Sequence, residues 1–112
     1  MVVMNPDIDA VQKLYAALDS SGIPFALGFF PDGECPGTPF GCYLPAYGKS
    51  MGADGITYAK ATCWQVELYT AQLDPDAESR IETALEGYRW EMKFSGYLKT
   101  EQVWQTVYRL WI

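Results

Sequence analysis

Strands grouped in runs between two helical stretches place this chain in the α+β class. The expected fold is a mainly antiparallel sheet of four to five strands with two helices on one face, in the order α-β-β-β-α-β-β. Three observations predict it. Residues 7–20 repeat apolar side chains at helical spacing. Ala61–Leu73 alternates like a strand and runs straight into Asp74-Pro75, a helix start. Tyr88–Ser95 alternates again after the second helix. At 112 residues with 49% hydrophobic content, the chain suits a single domain over 1–112 with no linker, long enough to bury a core.

Asn5-Pro6-Asp7 combines a capping side chain, a proline suited to the first turn and an acid favoured by the helix dipole. Ile8, Val11, Leu14, Tyr15 and Leu18 then form one apolar stripe over Asp7–Ser20. Gly22 suits the left-handed position that closes such a helix. Ile23–Phe30 reads as the first strand, with Phe25, Leu27 and Phe29 on one face. Pro31-Asp32-Gly33-Glu34 reads as a turn with proline at its second position, leading through Cys35–Pro39 to a second strand at Phe40–Leu44, the two forming a first hairpin.

Residues 45–55 form the longest segment without periodicity and read as a long loop with contact potential. Gly48-Lys49-Ser50 resembles part of a phosphate-binding loop, but Tyr43 stands where that motif requires its first glycine, and no helix start follows. Ile56–Lys60 and Ala61–Thr70 read as one long strand or two joined by a bend. Trp64, Val66 and Leu68 share one face; Cys63, Gln65, Glu67 and Tyr69 share the other.

Asp74–Glu86 reads as the second helix, with Ala77, Ile81, Ala84 and Leu85 inward. Glu78, Glu82 and Glu86 recur four apart as an acidic face, read either as a solvated surface or as a rim meeting a partner or facing DNA. Gly87 closes this helix. In the next strand Tyr88, Trp90, Met92 and Phe94 point one way and Arg89, Glu91 and Lys93 the other. Gln102–Ile112 is a last strand, apolar on both faces and therefore buried in the subunit or between subunits. Trp64, Trp90 and Phe94 are expected in the core; Tyr47, Met51, Trp104 and Trp111 are the candidate subunit or partner contacts.

Composition narrows the function. A net charge of -6 disfavours groove binding of nucleic acid, yet suits a protein that must sit near nucleic acid without sticking to it. The chain has no histidine, which removes the commonest general base and transition-metal ligand. Three cysteines, Cys35, Cys42 and Cys63, have neither the number of a disulfide framework nor the spacing of a zinc site. No cofactor or metal is expected. The N-terminus lacks the basic and apolar regions of a signal peptide, and no apolar run approaches the roughly 20 residues of a membrane span.

Short motifs through most of the chain resemble a family of small tailed-phage and prophage proteins, variously tail-completion, tail-terminator, minor tail or head–tail joining proteins. The resemblance covers roughly residues 7–112. It is carried by the N-terminal helix before Ile23-Pro24-Phe25, by Pro39-Phe40-Gly41-Cys42-Tyr43, by Ala53-Asp54-Gly55 with Tyr58, and by Val66-Glu67-Leu68-Tyr69-Thr70. Asp74-Pro75 with Glu78, Ile81-Glu82 with Leu85, and Glu101 through Tyr108 complete it. The chain departs from the family pattern in its cysteines and in Pro31–Phe40.

The resemblance implies a non-enzymatic virion subunit, assembled in the bacterial cytoplasm, that forms a homo-oligomeric ring, often a hexamer. Such a ring ends the tail tube or joins it to the head connector, with DNA passing through it and no membrane involved. Two other readings compete. One is a small adaptor or inhibitor module that binds a partner through an exposed sheet face. The other is a hydrolase using Ser50 or Cys42, for which a lysine such as Lys49 or an acid would have to replace histidine as base.

Overall fold

A computed structural model describes residues 5–46 and 63–112, with side chains from residue 9 onward. The described elements are α1 (Asn5–Asp19), β1 (Phe25–Leu27), β2 (Phe40–Pro45), β3 (Cys63–Thr70), α2 (Pro75–Ala84), β4 (Arg89–Leu98) and β5 (Val103–Trp111). The fold is α+β, in the expected element order, with a mostly antiparallel sheet. The expected strand at Ile56–Lys60 and most of the 45–55 loop lie outside the described residues.

The five strands lie in the order β1-β2-β3-β5-β4. β5, last in the chain, inserts between β3 and β4 and pairs antiparallel with both. On one face Thr106, Tyr108 and Leu110 are buried; on the other Val107 is buried and Trp111 half-buried. The register divides the side chains cleanly. Tyr43, Trp64, Val66, Leu68, Tyr108 and Leu110 share one face, and all are buried. Leu14 and Leu18 of α1 join them in one core with Ala77 and Ile81 of α2 and with Leu85 just beyond it. Both helices therefore cover the same side of the sheet. The opposite face carries Phe40, Gln65, Glu67, Tyr69, Gln105, Val107, Arg109 and Trp111, and neither of the described helices, α1 and α2, covers it.

Both helix boundaries follow local chemistry. The Asp74 Oδ1 accepts from the Ala77 N–H at 3.0 Å, and Pro75 begins α2 where its missing N–H costs nothing. α1 starts two residues before the expected Asp7 and ends into Gly22, whose φ of +81° is the left-handed closure.

Four expectations need correction. β1 stops at Leu27 and does not reach Phe30, because Gly28 takes φ +80° and its N–H turns to the Tyr43 carbonyl at 2.8 Å. Phe29 consequently does not share the Phe25 face and stands 74% exposed. β1 and β2 are not a hairpin: they pair parallel, and residues 28–39 form the crossover that a parallel pair requires. Phe25 lies opposite Gly41, and a Cβ there would collide with its ring, so glycine at 41 is what admits Phe25 to the core. The turn at 31–34 starts on Pro31, not one residue earlier, since Pro31 O accepts from Glu34 N and Gly33 takes the positive φ. Finally, a bulge between Met92 and Phe94 moves Phe94 to the helix-free face opposite Val107. Phe94 is thus 45% exposed and not core, whereas Trp64 is buried and Trp90 packs against the core beside Tyr108.

Candidate functional site: the helix-free sheet face and the sheet edges

The helix-free face is built from every second residue of β2, β3, β5 and β4. At its centre the Glu67 carboxylate accepts hydrogen bonds from Gln65 Nε2 at 2.6 Å and from the Tyr69 hydroxyl at 2.8 Å. Gln105 Nε2 donates to the same Tyr69 oxygen at 3.0 Å, which ties β3 to β5. Phe40 stacks on the Tyr69 ring at 5.1 Å, and Phe30 meets Phe40 edge-on at 5.8 Å. Burial raises the Tyr69 pKa, and the bond to Glu67 adds to the effect, so this hydroxyl stays a donor. Cys42, on the same face, is pushed up to about 11 by burial and by the Glu67 charge. A thiol so protected is a small apolar side chain and a poor nucleophile.

Two of the four candidate contact residues can be placed; Tyr47 and Met51 lie outside the described residues. Trp111 is half-buried on the helix-free face, with the Arg89 guanidinium 4.5 Å from its ring centroid. This stacking is worth ~0.5–1 kcal/mol at such a site. The pair borders an open groove of about 410 Å3 between α1 and the start of β4, lined also by Asp9, Lys13 and Tyr88. Trp104 lies on the helix side, half-buried, and donates from Nε1 to Ser95 Oγ at 2.9 Å. The two tryptophans are therefore on opposite faces of one strand, which their odd spacing required.

The acidic residues of α2 divide. Glu78 accepts from Thr106 Oγ1 at 3.1 Å and Glu82 from the Tyr108 hydroxyl at 2.9 Å, so both lean onto β5 and are half-buried. Glu86 is exposed. Burial and the Glu82 carboxylate together raise the Tyr108 pKa. The first two glutamates thus anchor the helix to the sheet, and Glu86 contributes to the outer surface.

The sequence reading did not single out the residues at the two edges of the sheet. Among the described residues, seven large hydrophobic side chains are exposed: Tyr15, Leu27, Phe29, Leu73, Met92, Phe94 and Tyr97. Leu27 and Phe29 belong to β1 and the turn that ends it, and Met92, Phe94 and Tyr97 belong to β4. Among the described strands, β1 and β4 are the two outermost. The glycine at 28 was the available signal for the first cluster, because it breaks the alternation just before Phe29.

Among the described residues, no group of three or more histidine, cysteine, aspartate or glutamate side chains could hold a metal ion. No described helix is long and apolar enough to cross a membrane. Comparison with family models, with curated proteins and with solved structures finds no match.

Proposed function

We propose that this chain is a structural subunit of a tailed-phage or prophage particle, a ring-forming protein that ends the tail tube or joins tail to head. The observation that supports this most is the helix-free face of the sheet. It sets the aromatic side chains Phe40, Tyr69, Phe94 and Trp111 around a tied polar centre, on a face that neither α1 nor α2 covers. Such a surface provides contact area. Aromatic residues of this kind are the usual anchors of protein interfaces. The acidic balance of the chain favours a DNA conduit, because a negative lining lets phosphates pass without binding.

The function is therefore carried by shape. A subunit of a closed ring must present two different surfaces that fit each other after rotation. Glu78 and Glu82 fix α2 at a set angle to β5, and the core fixes the sheet. The test is to add the purified chain to assembled tail tubes and image them by negative stain. Binding at one end of the tube, with growth stopped there, is the expected result. A one-to-one complex with an unrelated protein, and no affinity for tubes, would favour the adaptor or inhibitor reading instead.

A further inference from the structure

The ring reading leaves open which surfaces join neighbouring copies. We propose that they join edge to edge, β4 of one copy docking on the β1 edge of the next; this interface rests on the ring reading and specifies it.

Three observations carry the inference. First, among the described residues, five of the seven exposed large hydrophobic side chains sit at the two outermost strands, Leu27 and Phe29 at one end and Met92, Phe94 and Tyr97 at the other. The two clusters lie at opposite ends of the sheet and so cannot cover each other within one chain. A head-to-tail neighbour brings them together.

Second, the charges match. Residues 14–48 contain no lysine or arginine, and the turn after β1 carries Asp32 and Glu34. The β4 hairpin carries Arg89, Lys93 and Lys99 against Glu91 and Glu101, a cationic excess in a chain whose net charge is -6. The Lys93–Glu91 pair within β4 is solvent-exposed and so holds Lys93 only weakly. A negative edge therefore faces a positive one.

Third, the strand directions fit. β1 runs parallel to β2, and each later neighbour in the sheet is antiparallel to the one before it. β4 therefore runs opposite to β1, and a neighbour related by rotation about an axis along the strands presents β1 to β4 as an antiparallel pair. A stable interface removes on the order of 800 Å2 per partner. β1 has only three residues, so backbone pairing alone is too small. Phe29 and the Asp32–Glu34 turn must extend the contact along β4. The bulge between Met92 and Phe94 limits indiscriminate pairing of that long edge while turning Phe94 outward.

The test uses two variants of the full chain, Leu27→Asp with Phe29→Asp and Met92→Asp with Phe94→Asp. All four side chains are exposed, so both variants should keep the wild-type circular dichroism and unfolding midpoint. Light scattering after size exclusion should find each variant monomeric and a mixture of the two forming a one-to-one dimer that grows no further, since each supplies the edge the other lacks. A variant that fails to fold is replaced by the surface pair Lys93→Glu with Lys99→Glu. This pair should weaken assembly about tenfold, and a partner carrying Asp32→Lys with Glu34→Lys should restore it. Wild-type assembly that survives the edge and charge variants overturns this interface and leaves the ring reading standing. Dimerisation of the β1 variant with itself would instead mean a β4-to-β4 contact. A wild-type chain that stays monomeric at every concentration, with tail tubes present, overturns both.

Discussion

β3 and β4 look alike in sequence and differ in the fold. Each alternates apolar and polar residues over most of its length, and each ends near a glycine or a helix start. β3 lies between β2 and β5, and its inward residues Trp64, Val66 and Leu68 are between 0% and 5% exposed. β4 is an edge, and Met92 and Phe94 keep more than two-fifths of their surface. Alternation specifies which side chains share a face. Burial depends on what lies beside and above the strand, and that is set by the return of β5 into the middle of the sheet.

The sharpest way to break the comparison is to truncate one apolar residue on each strand. Leu68→Ala should cost ~2–5 kcal/mol, because it opens a cavity in a packed core. Phe94→Ala should cost under ~1 kcal/mol, because its ring lies on the surface over Gly96. Urea unfolding of the two variants measures the difference directly. Equal losses would mean that β4 is covered in the subunit.

A smaller effect is expected where the helix meets β5. Tyr108→Phe removes the donor to Glu82 and should destabilise by ~1–3 kcal/mol without changing the fold. Glu86→Gln, on the exposed end of the same acidic row, should leave stability within ~0.5 kcal/mol. The pair of measurements separates the anchoring glutamates from the surface one.

The smallest effect is a pH dependence on the helix-free face. Burial holds the Cys42 thiol protonated in the folded chain up to about 11, against its ordinary value of 9.0. The unfolded chain therefore releases this proton first, and stability should fall as pH rises from about 9 to 11. Below the unfolded value the contribution is fully present. Tyr69 and Tyr108 act in the same direction at higher pH. Cys42→Ala should flatten the early part of the decline, read from unfolding midpoints across that range.

Much of the fold was legible in local chemistry. The Asp74-Pro75 helix start, the faces of β3 and the apolar stripe of α1 each follow from side chains that act within a few residues of themselves. The parallel pairing of β1 and the insertion of β5 were not legible, because both depend on partners distant in sequence. The Lys93 bulge was hidden for a related reason: it changes which residue faces Val107 without changing the order of polar and apolar residues. The candidate site was legible in part. Trp111 was found as an aromatic on the outer face, and Glu78 and Glu82 were found as a row, but their donors Thr106 and Tyr108 lie on a strand nearly thirty residues away. The edge clusters were missed because an exposed leucine or phenylalanine differs from a buried one only in its surroundings.

The central claim is that this chain works by assembling with copies of itself. Native mass spectrometry of the purified wild-type protein across concentration, with class averages of the largest species by electron microscopy, tests it most directly. The account predicts one dominant closed species, a ring of identical subunits with rotational symmetry. A population that stays monomeric at every concentration, with tail tubes present, would contradict it.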